Sequence, residues 1–343
     1  MNLKRIIGIS ALAFVAISIV SCGKDSGEKE APNTINYKDA AGEDKELVVN
    51  KTDDKNEAKA AAEALILASS GNEEFQNKKG SFKSVKLVES GNTKTTISVN
   101  YSGAETVTTS IVEQKNNRLI NFEQKKIKLE ASATTKTNMK MKYDGESDSS
   151  TSKAKSNATS YTQFYENNAI TILDGEVSSS GITQTLRYYT DTDITFEEFE
   201  NYDILNLDRL YNYMLPSGDL VAITSTTKSS ITFEFNYSYD RNYMLQVLGN
   251  DSYTKSMINY GLFDSLFSGI ELEVTINTES FLPTKITTES ESEDIDLRSF
   301  YRNEMSISAS NALMNVEYDV TYKLEYGNVS IDKVVDTSGY PKM

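Results

Sequence analysis

Val316-Glu317-Tyr318-Asp319-Val320-Thr321-Tyr322-Lys323-Leu324-Glu325-Tyr326 alternates apolar and polar residues without a break. In an extended chain successive side chains point to opposite faces. Val316, Tyr318, Val320, Tyr322, Leu324 and Tyr326 therefore share one face and the polar residues share the other. Such a stretch is a strand with one face buried, and the same texture recurs through most of the chain. Ile231, Phe233, Phe235, Tyr237 and Tyr239 alternate with Thr232, Glu234, Asn236 and Ser238. Further strands are expected near 82–89, 94–101, 105–113, 118–130, 135–143, 159–173, 182–190 and 219–227, and again at 270–279, 283–290, 297–308 and 328–335. Turn-like residues at Ser90-Gly91-Asn92, Asn116-Asn117 and Asp144-Gly145 separate several of them. Regularly spaced strands of this kind predict an antiparallel meander. Within 118–130 the apolar positions switch from even (Ile120, Phe122) to odd (Ile127, Leu129), which predicts a bulge near Glu123–Lys126 and a bent strand.

Helices interrupt the strands. Glu57 to Ala68 is a dense run of good helix formers with Gly71 as its stop. Thr195-Phe196-Glu197-Glu198 matches a capping box and predicts helix to about Met214. Asp240–Leu248 and Asp251–Phe267 are also expected to be helical, ending near Gly249 and Gly269. The second carries Met257, Ile258, Leu262, Phe263, Leu266 and Phe267, spread over more than half its circumference, so it is expected to be covered on more than one side.

Composition removes whole classes of chemistry. The 343 residues include no His, no Trp and one Cys, with 35 Lys+Arg against 50 Asp+Glu for a net charge of −15. Ser-His and Cys-His nucleophile pairs, His-ligated metals and thiolate zinc clusters are excluded. The negative charge argues against nucleic acid as a partner. No pair of carboxylates stands out for glycoside chemistry, so no enzyme activity and no cofactor are expected.

The N-terminus reads as an address. Lys4 and Arg5 precede the apolar run Ile6–Val20, which is 15 residues long. That is short for a membrane span and suited to a signal-peptide core. The run ends in Ile19-Val20-Ser21-Cys22-Gly23, which resembles the bacterial lipobox. The resemblance implies a signal peptide at 1–21 and acylation of Cys22. Two or three acyl chains would hold the protein on a membrane. Gly23 rather than Asp after the Cys implies, by resemblance to the enterobacterial sorting rule, no retention in the inner membrane, so the outer membrane is expected. Residues 22–55, poor in apolar side chains, are expected to be a disordered tether reaching about 30 Å. Residues 56–343 are expected to form one domain.

The order of helix, meander, helices and more strands behind a lipobox resembles the LolA/LppX family of half-barrel lipid-handling envelope proteins. Ser280-Phe281-Leu282-Pro283-Thr284-Lys285-Ile286 resembles that family's turn before a late strand. Tyr322-Lys323-Leu324-Glu325-Tyr326-Gly327, followed by Val329 and Ile331, resembles its closing strands. The resemblance implies an α+β fold: a strongly curved antiparallel sheet of about eleven strands, helices on its concave side, and a cavity for acyl chains between them.

Candidate ligand-binding residues follow. Met139, Met141 and Tyr143 alternate with Lys140 and Lys142, so that adaptable Met side chains line a lipid cavity or fill plain sheet core. Phe233, Phe235 and Tyr237 form an aromatic wall or core. Leu262, Phe263, Leu266 and Phe267 face ligand or core. Lys125, Lys126 and Lys128 suit an anionic headgroup or solvent. Glu289, Glu291 and Glu293 suit Ca²⁺ or an exposed strand face. The function expected is a lipid-anchored, non-catalytic envelope lipoprotein binding a hydrophobic ligand. The alternative is a surface lipoprotein working by protein contact, as an adhesin or scaffold.

Overall fold

The alternating stretch forms part of β13 (Asn311–Gly327), which lies inside a single sheet. The structure is a computed structural model describing residues 29–79, 82–202, 207–237 and 270–343. The expected helices at 240–248 and 251–267 fall outside the described residues.

In chain order, β1 (Asn33–Lys38) and β2 (Asp44–Val49) form a hairpin. Helices α1 (Lys55–Ser70) and α2 (Glu73–Lys79) follow. A meander comes next: β3 (Ser84–Tyr101), β4 (Ala104–Asn121), β5 (Lys126–Tyr143), β6 (Glu146–Phe164), β7 (Ala169–Ser179) and β8 (Ile182–Thr192). Helix α3 (Phe196–Tyr202) and the helical turn α4 (Leu207–Arg209), which runs on as π-helix over Leu210–Met214, lead to β9 (Leu220–Thr226) and β10 (Ser230–Tyr237). The chain closes with β11 (Ile270–Asn277), β12 (Pro283–Asp296), α5 (Arg298–Met305) and β13. One antiparallel sheet of eleven strands runs in the order β8-β7-β6-β5-β4-β3-β13-β12-β11-β10-β9.

This corrects the expected class. Among the described residues the protein is mostly β, 60% strand against 14% helix, and one sheet of this size fits a barrel-like fold rather than α+β with helices on a concave face. The physical reason lies in strand length. β3, β4 and β5 run 18 residues each and β6 runs 19, where strands of about half that length were expected. Ser90-Gly91-Asn92 and Asn116-Asn117 do not turn; they lie inside β3 and β4, paired with Thr321, Val320 and Asp319 and with Glu89 and Val88. The real turns are Ser102-Gly103, Asp144-Gly145 and Ser180-Gly181, each with positive φ at both residues. That backbone matches the right-handed strand twist, and only the second was expected. The parity switch in 118–130 is also a turn: β4 ends at Asn121, Lys125 has φ 51° and β5 starts at Lys126. Stretch 297–308 holds α5 instead of a strand, and 328–335 lies beyond the last strand.

Asp54, which the sequence reading did not single out, caps α1, its carboxylate accepting from the Asn56 and Glu57 amides. Two local readings hold. Gly71 follows the helix end. The capping box forms reciprocally: Glu198 N–H donates to Thr195 Oγ1 at 3.1 Å, and Thr195 N–H donates to Glu198 Oε2 at 2.7 Å. Inside the stretch expected to be a tether, β1 and β2 are ordered, with Ile35 and Val49 buried in the main core.

That core collects the buried face of α1 (Ala58, Ala61, Leu65), one face of β9–β13, and the first residues of β3, Val85 and Leu87. A satellite cluster of Phe164, Ala169, Ile194 and Phe196 closes the sheet's other flank. After β13 the chain crosses that flank. Lys126 Nζ donates to the Ile331 and Lys333 carbonyls, and the Tyr189 and Met343 amides exchange hydrogen bonds with the Pro341 and Tyr189 carbonyls along the β8 edge.

Candidate functional site

Strand register decides which side chains meet. Paired residues share a face, so each row can be followed across the sheet. One face carries the core, and three rows on it matter most. Met314 pairs with Ile97, which pairs with Thr108, which pairs with Met139. Two residues toward the turns, Ala312, Val99, Thr106 and Met141 form the next row. At the turns themselves, Tyr101, Ala104 and Tyr143 form the third. No register shift interrupts these pairings.

The rows form an apolar strip with graded exposure. Met314 is buried, and Ile97 and Val99 are partly buried against the core. Met139 is half-buried. Met141, Tyr101 and Tyr143 are 45%, 47% and 59% exposed. The large apolar side chains come from β13, β3 and β5, with Thr108, Thr106 and Ala104 of β4 between them, and the most exposed of them lie at the turn end of the sheet. The strip lies toward the Ser102-Gly103 and Asp144-Gly145 ends of the long strands β3, β4 and β5.

Below the strip on the same face lies a polar belt. Glu89 is only 2% exposed. Its Oε1 accepts from Asn116 Nδ2 at 2.7 Å and from Gln114 Nε2 at 3.0 Å. Burial pushes its carboxyl above the usual range, partly offset by the positive charge of Arg118 and by the Asn116 hydrogen bond. Sequence alternation hid this belt, because Glu89 occupies a core-facing position in an otherwise apolar series (Val85, Leu87). The parity itself was the available signal.

The candidates separate cleanly. Met139, Met141 and Tyr143 come together on the strip. Phe233 and Phe235 share that face but sit across the sheet, 0% and 2% exposed within the main core. Tyr237 ends β10, and its side chain is not among those described. Leu262, Phe263, Leu266, Phe267 and Cys22 fall outside the described residues. Lys126 and Lys128 are engaged locally, Lys126 with the C-terminal segment and Lys128 with Glu130. Glu289 belongs to an acidic row on the opposite face: it pairs with Glu271 on one side and Asp319 on the other, and Glu234 pairs with Glu273 close by. Among the described residues no group of three acidic, His or Cys side chains is placed to hold a metal ion.

Comparison with protein-family models gives no match, and comparison with curated proteins gives none. Among solved structures, the translocator domain of the autotransporter NalP from Neisseria meningitidis aligns over 78% of this chain and 99% of its own, at 6% identity and a TM-score of 0.20. A likeness at that score carries no argument about fold or function.

Proposed function

We propose that the protein is a non-catalytic, lipid-anchored binding protein of the bacterial cell envelope, taking a hydrophobic ligand on the strip formed by β13, β3, β4 and β5. The observation that carries the reading is the register that gathers Met314, Ile97, Val99, Met139, Met141 and Tyr143 on one face with exposure rising toward the turns. Flexible Met side chains adapt to ligands of varied shape. Support for the envelope and the anchor comes from the lipobox-like Ile19-Val20-Ser21-Cys22 and the charged, then apolar, residues before it. The absence of His and the single Cys leave little nucleophilic or metal chemistry to the chain. The competing reading, contact with another protein through the same exposed residues, draws on Phe233 and Phe235 being packed core rather than a ligand wall.

Binding of the uncharged apolar reporter N-phenyl-1-naphthylamine separates the two. The wild-type protein is expected to enhance its fluorescence saturably. Met141→Asp is expected to abolish binding while unfolding cooperatively near the wild-type temperature, because an exposed site tolerates the charge. A wild-type protein that binds no apolar probe overturns the ligand reading. For the anchor, Cys22→Ser is expected to release the protein from the membrane fraction; a variant that remains there with a processed N-terminus refutes acylation at this site.

A further inference from the structure

We propose that the buried hydroxyls of Tyr318, Ser290 and Thr288 form a polar subsite that hydrogen-bonds the uncharged head of an amphipathic ligand whose apolar chain lies on the strip. This rests on the ligand reading above and names the class of molecule it takes.

The geometry starts from β12 and β13. Ser290 pairs with Tyr318, and Thr288 pairs with Val320 two residues along. All three hydroxyls belong to the face that carries Val316, Tyr322 and, across β3, Glu89. Tyr318 is 9% and Ser290 8% exposed. The oxygens of Tyr318, Ser290 and Thr288 are each buried and complete no hydrogen bond. Buried hydroxyls without partners destabilise a fold, and native proteins leave few of them. Three within two neighbouring strand pairs, all on the face of the strip, fit groups kept for a ligand.

Position and charge define that ligand. Tyr318 lies four residues from Met314 on the same strand, about 13 Å at the usual strand rise, so an apolar chain on the strip places its head at the hydroxyls. The three groups are neutral, and each both donates and accepts. Burial pushes the Tyr318 phenol up, so it stays protonated as a donor, and the Ser290 hydroxyl beside it does not reach full hydrogen-bond geometry with it. The carboxylates of the same strands, Glu289 and Asp319, alternate to the opposite face. Glu89, two pairs away from Tyr318 on the ligand face, already accepts from Gln114 and Asn116 and opposes an anionic head. A hydroxyl or an ester or amide carbonyl fits these partners.

The test is displacement of N-phenyl-1-naphthylamine from the purified protein by four ligands of one chain length: 1-dodecanol, 1-chlorododecane, dodecanoate and dodecylammonium. The alcohol is expected to displace best. Tyr318→Phe and Ser290→Ala should each weaken 1-dodecanol about two- to tenfold, the worth of one hydrogen bond, and leave 1-chlorododecane unchanged. Neither variant should melt below wild type, because each removes an unpartnered buried oxygen. If either fails to fold, the other and the wild-type head preference carry the test. Equal binding of the alcohol and the chloride, a preference for either ion, or an alcohol preference that survives both substitutions overturns the subsite and leaves the strip standing. Failure of 1-chlorododecane and the reporter to bind at all removes the strip, and the subsite with it.

Discussion

Glu89 offers a direct check on the polar belt, because two substitutions at one position should part company. Its carboxylate is 2% exposed and serves as a shared acceptor for Gln114 and Asn116. Glu89→Gln keeps the shape and leaves a carbonyl oxygen to accept. It also removes a buried charge, whose cost is registered in the upward shift of the carboxyl. Its net effect near neutral pH should lie within about 1 kcal/mol of zero, with stabilisation the favoured sign. Glu89→Ala withdraws the acceptor from both amides and leaves a hole. Weakening two buried hydrogen bonds at about 1–3 kcal/mol for a stranded group, plus the lost packing, gives a loss of about 3–5 kcal/mol. Urea unfolding followed by circular dichroism measures both at one pH. If Glu89→Ala costs no more than Glu89→Gln, the carboxylate does not organise the belt, and the inner face is held by its apolar rows alone.

Three further outcomes are expected. Burial, and then the like charges of Glu271, Glu273 and their neighbours, raise Glu234 and Glu289 above the usual carboxylate value of 4.5. A carboxyl raised in the fold disfavours folding while ionised, and the penalty lifts as pH falls through its folded pKa; the melting temperature should therefore rise as pH is lowered from neutrality toward the usual carboxylate range, and a steady fall there contradicts the crowding of like charge around Glu234 and Glu289. The lowered carboxyls, Asp39, Glu198, Asp296 and Asp336, lose their stabilisation only below the usual range and do not mask this window. Lys136 pairs directly with Lys153, so Lys136→Thr should stabilise by about 0.2–1 kcal/mol, with most of the gain lost in high salt; an unchanged midpoint at low salt refutes the register there. Gly175 has no room for a side chain, since an added Cβ would stand 2.7 Å from the Asn157 carbonyl oxygen and 2.9 Å from the Ala158 Cβ; Gly175→Ala should cost about 1–3 kcal/mol in thermal melts, and a neutral result means β6 and β7 do not approach so closely.

Alternation made the strands legible, because a sheet with one buried face imposes period 2 on sequence. It could not give their length. Gly91 and the Asn116-Asn117 pair look like turns because those residue types favour turns. Here Gly91 lies on the face shared by Glu89 and Gln114, and Asn116 is there as a hydrogen-bond donor to Glu89. A functional or structural polar role had replaced the local preference. The true turns at Ser102-Gly103 and Ser180-Gly181 follow the same chemistry, a residue tolerating positive φ before a Gly, and fall in the gaps between expected strands although neither was named as a turn. Met139, Met141 and Tyr143 were readable as a set because they fall on one strand. The belt of Glu89, Gln114, Asn116, Ser290 and Tyr318 was not, because it is assembled from four strands and only register brings it together.

The same register gives the molecule a direction. The N-terminal segment joins the sheet at the end where β9 turns into β10: the Ala31 amide donates to the Thr226 carbonyl, and Asn33 Nδ2 donates to the Thr227 carbonyl and Thr278 Oγ1. The β11–β12 turn, Gly327 and Ser84 lie at that end too. Tyr101, Met141 and Tyr143 lie at the other, the length of β3 away, which at 18 residues is about 60 Å. An acyl anchor at Cys22 would be joined to Asn33 by about ten residues, which even fully extended span roughly 35 Å. The anchored end would then sit close to its membrane, and the open end of the strip would face away from it. A ligand entering at Tyr143 would arrive from the aqueous side or from an opposing surface rather than from the membrane that holds the protein. Lengthening the segment before Asn33 should therefore leave ligand uptake unchanged in membrane-bound protein. A marked dependence of uptake on that length would mean that ligand enters from the anchoring membrane, and the assigned direction would be wrong.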